Sequence, residues 1–294
     1  MLNDLYQMLD PVAISVGPVT IYWYGLAYVF GSILCAYMLY RTLKRWGLDI
    51  STDDLVDIAT GAVCGLLIGA RLFYCIFYGN GYYWEHPLQI LALNQGGMSF
   101  HGGLVGGIVG GMIVCHAHKI SSWSVLDAAL VGVPLALCMG RCANFVNGEL
   151  WGKETDLPWG VVFGGSAGDV ARHPSQLYEA FLEGVVLFVI LYVMSRHKPT
   201  YPQGTFTGTF LLGYGIVRIL IEFVRVPDSQ LGYLFGGVVT MGQVLSLPLV
   251  IGGIAILIWA HKTKRPQQGY LEPRPQEAEV ADVSGDGSSS GVEG

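Results

Sequence analysis

The sequence predicts an all-α integral membrane protein, a bundle of about seven transmembrane helices with an outer cap. Three observations lead there. The 294 residues are 52% hydrophobic and 13% charged, whereas about a quarter of an average soluble chain is charged. Apolar stretches of roughly twenty residues, the length that crosses a hydrocarbon core of about 30 Å, recur along the chain. Lysine and arginine are also shared unevenly between alternate connections. The formal charge of −6 is concentrated at one end: from Pro266 onward six acids face one arginine, so the body of the chain is close to neutral. No basic excess remains for a nucleic-acid surface, which excludes that partner.

In chain order, the first span is expected at about 20–41, with no signal peptide before it, because the first 19 residues contain no Lys or Arg. The second and third, about 55–78 and 97–116, carry Gly61, Gly65 and Gly69, and Gly102, Gly106 and Gly110, at a four-residue spacing that lets helix backbones approach. A fourth is expected at about 123–141, with Asp127 near its start as a capping or pairing residue. The connection from about 142 to 176, rich in Gly, Trp and polar residues, reads as the folded cap. Ser175 is placed as the N-cap of a fifth span at about 177–195, with Glu179 in its first turn. Spans at about 204–225 and 238–261 complete the set. Residues 1–265 form a single transmembrane catalytic domain in this reading, and 266–294 a polar, disordered and dispensable tail. Ten of the sixteen basic residues fall on one side and Lys153, Arg172 and Arg225 on the other, so the positive-inside rule sets the N-terminus outside and the C-terminus in the cytoplasm.

The three remaining basic residues, Arg71, Arg141 and Arg218, lie within spans, where each costs a few kcal/mol and needs a reason. Arg71 and Arg218 sit about 7 residues, or roughly 10 Å, from the outer ends of their helices. Arg141 stands at the outer end of the fourth span and His101 about one turn inside the third. Four such groups at one depth point to a shared, water-accessible anion site. Plainer readings stand beside this one: Arg218 and Glu222, spaced i,i+4, neutralise one another, and Arg71 snorkels outward. The stretch Gly140–Gly152, with Arg141, Asn144, Asn147 and Glu149, offers a guanidinium fork, amide donors and bare backbone N–H groups, which suit a phosphate at headgroup level. Arg172 and His173, just before the fifth span, are left without a structural reason. Six cysteines lie in apolar sequence with no C-x-x-C pair, and the histidines and glutamates form no ligand-spaced cluster, so neither a metal nor another cofactor is expected.

These residues resemble a known family. Gly140–Gly152 is similar to the signature of the prolipoprotein diacylglyceryl transferases, as are Trp23-Tyr24-Gly25, Gly97–Gly103, Arg172–Glu179 and Gly213-Tyr214-Gly215 followed by Arg218, Glu222, Phe223 and Arg225. The resemblance covers about 12–262, with a 152–172 loop shorter than in some members. It implies an enzyme of the bacterial cell inner membrane, its active site facing the outer leaflet. Such an enzyme moves the diacylglyceryl group of phosphatidylglycerol to the lipobox cysteine thiol of a prolipoprotein, making a thioether and releasing glycerol phosphate. The acceptor thiol then belongs to the substrate, in keeping with the unremarkable setting of the chain's own cysteines.

For that chemistry Arg141 and Arg218 are assigned to a clamp on the phosphate leaving group. The incoming thiol, with a pKa of about 8.5, needs a base: His101 is the first candidate, with Glu222 and Tyr24 as alternatives. The family pattern adds Tyr24, Asn144, Glu149, Gly152 and Tyr214 as site residues, and Asn147 joins them as a lipid-headgroup ligand. The competing reading is an anion or lipid transporter with an intramembrane Arg site, although the two halves of the chain show no internal repeat.

Overall fold

A computed structural model describes residues 1–79, 81–92, 96–226, 233–234 and 239–272. The chain opens with a short helix α1 (Leu2–Tyr6) and an antiparallel hairpin, β1 (Val12–Val16) with β2 (Val19–Tyr22). Hydropathy scanning does not see either, since neither is apolar enough nor long enough to register as a span. Then follow α2 (Trp23–Trp46), α3 (Thr52–Phe77), α4 (Tyr82–Glu85), a 3-10 turn Pro87–Leu91 and α5 (Phe100–Ala117). Next come α6 (Ser122–Leu130), α7 (Val133–Val146), the pair β3 (Val161–Val162) and β4 (Ala171–Arg172), and α8 (Ser175–Glu179). A π-helical turn (Ala180–Val186) joins α8 to α9 (Leu187–Ser195); α10 (Thr205–Glu222), the hairpin β5 (Tyr233–Leu234)/β6 (Val239–Thr240) and α11 (Met241–Thr263) complete the described chain.

Local chemistry sets the helix limits. Gly47, at φ 73°, gives α2 its left-handed stop. Ser51 Oγ accepts from Asp54 N to begin α3, and Ser99 Oγ accepts from Gly102 N to begin α5. Thr240 and Gln243 form a reciprocal capping box on α11.

Among the described residues, five helices are long and apolar enough to cross a membrane: α2, α3, the continuous helix Ser175–Ser195, α10 and α11. The pair α6–α7 makes a sixth if its two halves, bent by 44°, count as one span. The chain is therefore a mostly helical, multi-pass membrane protein, with five or six such spans among the described residues. The stretch expected at about 97–116 corresponds to α5, a shorter apolar helix. The fourth span differs from the uniform helix expected at 123–141. Gly132 lies so close to Cys35 and Met38 of α2 that a Cβ there would meet them at 3.0 and 2.9 Å, and Pro134 restarts the helix in the first turn of α7. The new helix runs on to Val146, so Arg141 lies inside it and not at its end.

Two compact units make up the chain. The first comprises Met1–Gly47 and Leu126–Gln267, with a core of Met38, Val131, Leu187, Leu191 and Phe206. Asp127, fully buried, accepts from Gly204 N (2.7 Å), Thr207 N (2.9 Å) and Thr207 Oγ1 (2.6 Å), so the capping role expected of it is served to α10 rather than to its own helix. The second unit comprises Leu48–Val125 with, among the described C-terminal residues, Gln268–Glu272. Here α3 packs on α5 through the expected glycines: a Cβ at Gly65 would collide with the Gly106 carbonyl, and one at Gly69 with the Gly102 carbonyl. Arg71 does not snorkel. It is 3% exposed, and its guanidinium donates to the carbonyls of Gln89 (2.6 Å), Ile90 (2.8 Å), Ala92 (3.2 Å), Gly96 (2.6 Å) and Gly97 (3.1 Å), which holds the loop before α5 in place.

The first residues of the expected tail, which begins at 266, make hydrogen bonds. Gln267 Nε2 donates to Asp127 Oδ2 (2.8 Å), and within the second unit Gln268 N donates to Ser124 Oγ (3.0 Å) and Leu271 N to the Lys119 carbonyl (2.7 Å). The Tyr270 hydroxyl donates to Asp54, whose other oxygen faces His118 Nδ1 at 2.5 Å. Asp54, Asp57 and His118 bring their ligand atoms within 4.8 Å of one another, a gathering hidden in the sequence by a separation of 64 positions between Asp54 and His118. Because Ser51, Tyr270 and His118 already satisfy Asp54, the group reads as a latch for segment 268–272. Residues 273–294, the rest of the expected tail, lie outside the described residues.

Candidate functional site

The first unit gathers three arginines and three glutamates from α7, α10 and the helix Ser175–Ser195. Arg141, on α7, directs Nε at Glu179 Oε2 (3.0 Å) and Nη2 at Glu183 Oε2 (3.5 Å). Arg218, on α10, donates from Nη1 to Glu179 Oε1 (2.5 Å) and pairs through Nη2 with Glu222 Oε1 (2.6 Å). Arg225, just past the end of α10, donates from Nη1 to Glu222 Oε1 (3.2 Å), and Thr240 Oγ1 donates to Glu222 Oε2 (2.6 Å). Glu179 thus bridges two guanidinia that come from different helices. The plainer expectation for Arg218 and Glu222 is met, since they do pair, but it is incomplete, because each has a second partner on another element.

Exposure gives the cluster a direction. The side chains of Glu179 and Glu183 are 0% exposed and that of Glu222 1%, while Arg141 and Arg218 keep 17% and 12%. The carboxylates form a buried floor beneath the two partly exposed guanidinia of Arg141 and Arg218. The three guanidinia and three carboxyl groups are matched in number, and the low dielectric of the surroundings makes an ion pair here stronger than it would be in water. The Tyr214 ring, one helical turn before Arg218, stands within electrostatic reach of Arg141, Arg218, Glu179 and Glu183.

A second group of side chains forms around the turn that ends α7. Asn144 Nδ2 and Asn147 Nδ2 both donate to Glu149 Oε1, at 2.7 and 3.3 Å. Gly148, at φ 66°, makes the turn, and the Tyr6 hydroxyl of α1 lies so close that a Cβ there would have to displace it. The Tyr24 hydroxyl lies 3.0 Å from that of Tyr28 and within interaction range of Asn144 and Glu149. Two donors from α8 tie this turn to the helix that carries Glu179: Gln176 Nε2 reaches the Glu149 carbonyl (2.6 Å) and Ser175 Oγ the Leu150 carbonyl (2.9 Å). Ser175 is therefore the first helical residue, not the expected N-cap; Pro174 occupies that place. Gly152 N donates to the His173 carbonyl (2.9 Å), and a Cβ at Gly152 would meet His173 Cβ and the Val224 carbonyl at 2.6 Å, so backbone crowding explains why this position is glycine.

Arg172 and His173 also find reasons. Arg172 stacks on the Trp151 ring, 4.5 Å from its centroid, and Nε donates to the Ala167 carbonyl (2.8 Å). His173 Nδ1 lies 3.2 Å from the Tyr178 hydroxyl, and burial lowers its pKa from the usual imidazole value.

Of the residues singled out in the sequence, the structure gathers Arg141, Arg218, Glu222 and Tyr214 in one cluster, and Tyr24, Asn144, Asn147 and Glu149 in the group beside the α7 turn. Both lie in the first unit. His101 belongs to the second unit, exposed in the first turn of α5. Glu183 and Gln176 were overlooked, and Glu179 was taken only for a first-turn acid. An available signal was the pair Glu179 and Glu183 itself: two carboxylates at i,i+4 within an apolar span demand a partner as much as an intramembrane arginine does. The cysteines, including Cys138 and Cys142, are all free.

A family model described as prolipoprotein diacylglyceryl transferase matches residues 11–259. Curated relatives named phosphatidylglycerol–prolipoprotein diacylglyceryl transferase agree with it. That of Methylocella silvestris is 45% identical over 262 residues, covering 87% of this chain and 96% of the relative. One from Pseudomonas aeruginosa is 45% identical over 262 residues, covering 89% and 97%, and that of Rhodospirillum centenum is 48% identical over 258 residues, covering 87% and 93%.

Proposed function

The chain belongs to the prolipoprotein diacylglyceryl transferase family, and from that premise we propose that it transfers the diacylglyceryl group of phosphatidylglycerol to the lipobox cysteine of prolipoproteins. The thiolate sulfur forms a bond to the glycerol carbon, the carbon–oxygen bond to phosphate breaks, and glycerol phosphate departs with the bonding electron pair. The thiol proton passes to a base. No cofactor takes part in this proposal.

The observation that carries it is the pair of guanidinia held by one buried carboxylate: Arg141 and Arg218 both meet Glu179 and both retain exposure. Charge that develops on the phosphate oxygen during carbon–oxygen cleavage is stabilised by fixed donors that need no reorganisation at that moment. Arg141 and Arg218 are assigned the clamp, and Tyr214 supports it. Asn144, Asn147, Glu149 and Gly152 shape the headgroup seat. His101 is the first choice of base, with Glu222 and Tyr24 as alternatives; the two ion pairs already made by Glu222 argue against its use as a base. For the whole chain we propose seven spans, with α5 as the seventh, in a single domain of residues 1–265. The segment 142–176 is the outer cap, and the site faces the outer leaflet of the bacterial inner membrane.

The test is an assay of purified protein in detergent with phosphatidylglycerol and a lipobox-cysteine peptide, following glycerol phosphate and the peptide's mass. Release that requires the peptide cysteine supports transfer. A folded protein that binds the lipid without turnover supports the anion or lipid transporter instead.

A further inference from the structure

Glu183 has no part in the chemistry above, and its setting is costly. It is fully buried, neither carboxylate oxygen has a hydrogen-bond partner among the described residues, and its ion pair is with Arg141 Nη2 at 3.5 Å. A buried carboxylate left this way is held by surrounding structure rather than by its own bonds. The surrounding structure is specific. Glu183 lies within the π-helical turn Ala180–Val186, the one place where the helix Ser175–Ser195 departs from α geometry, and such turns are frequent at functional sites. The next residue, Gly184, lies against Cys138 of α7 so closely that a Cβ would stand 2.5 Å from the Cys138 Cβ. Cys138 is one turn before Arg141. The π turn and the missing side chain therefore seat this helix directly on the one that carries Arg141, with Glu179 and Glu183 on two edges of the same guanidinium.

We propose that Glu183 is a positioning residue for Arg141, setting the aim of its guanidinium and drawing part of its charge away from a bound phosphodiester. This rests on the clamp reading of Arg141. The physical logic is differential binding. A lipid phosphodiester carries one negative charge, and the departing phosphate monoester develops a second. The carboxylate weakens the hold on any phosphate by sharing the guanidinium's charge, and by fixing its edge it points the remaining donors at the oxygen where the second charge develops, so the binding energy appears where it lowers the barrier. Glu179 cannot replace Glu183 in this, because its two oxygens are divided between Arg141 and Arg218.

The experiment compares Glu183→Gln and Glu183→Asp with the wild type in the detergent assay, reading kcat and the inhibition constant of added glycerol phosphate, with thermal unfolding alongside. Glu183→Gln is expected to bind glycerol phosphate about 3- to 10-fold more tightly while kcat falls about 10-fold or more. Glu183→Asp, which keeps the charge on a shorter arm, should change both in the same directions by less. A structural role alone predicts weaker inhibition or an unchanged constant together with lost turnover, and either result for a folded variant overturns the proposal. If Glu183→Gln does not fold, Glu183→Asp decides by the same two readings. A wild type that does not turn over the lipid at all overturns the transferase reading first, which keeps the two failures apart.

Discussion

Replacing Arg218 with lysine keeps the charge and removes the fork, so it isolates what the guanidinium geometry does. Arg218 uses two different nitrogens on two carboxylates from different helices, Nη1 on Glu179 at 2.5 Å and Nη2 on Glu222 at 2.6 Å. One ammonium cannot occupy both places. Each charge-assisted hydrogen bond contributes about 1.5–3 kcal/mol net, so the variant gives up roughly one such bond and leaves a fully buried carboxylate under-neutralised. If the loss falls on the transition state it amounts to about 10- to 150-fold in rate, since about 1.4 kcal/mol is a factor of ten. A donor withdrawn from the developing phosphate charge is worth about 10²–10³ in kcat by itself. Arg218→Lys is therefore expected to lower the initial rate of glycerol phosphate release at least about 100-fold in detergent, with the protein still folded by thermal unfolding. A variant within about threefold of wild type would show that a point charge suffices and would refute the clamp.

Other expectations are independent of that one. His101→Gln should reduce kcat with the KM for phosphatidylglycerol nearly unchanged, because a base acts on the thiol and not on the lipid; steady-state kinetics at saturating peptide decide it, and an unimpaired variant removes His101 as the base. Truncation after Arg265 deletes the bonds that Gln267, Gln268 and Tyr270 make to Asp127, Ser124 and Asp54 and should lower the unfolding temperature, whereas truncation after Glu272 should not; identical melting of the two would show that residues 266–272 contribute nothing to stability. The His173 pKa is lowered by burial, so the fold favours the neutral ring. Its contribution is complete above the unfolded imidazole value of about 6.5 and declines as pH falls through that value toward the native one. His173→Asn should therefore flatten the acid limb of stability against pH, measured as unfolding temperature from pH 7.5 down to about 5.

Hydropathy made the membrane class and the approximate places of the apolar helices legible, because transfer from water is a sum over residues that needs no knowledge of neighbours. The close packing of α3 on α5 was legible for a similar reason: Gly61, Gly65 and Gly69 announce it by spacing alone. Arg141, Arg218 and Glu222 stood out because a charge in an apolar run is conspicuous wherever it lies. Their partnership is another matter. Arg218 and Glu179 are 39 residues apart, and no local pattern says which carboxylate a guanidinium will meet once helices pack. The same holds for Arg71, whose partners are backbone carbonyls with no side-chain signature, and for Tyr270, bound to Asp54 across 216 residues. The break between α6 and α7 and the π turn that aims Glu183 arise where Gly132 and Gly184 yield to a neighbouring helix. Charge and hydropathy belong to single residues and survive in the sequence; pairing, burial and aim are properties of helices in contact, and the tertiary structure alone decided them.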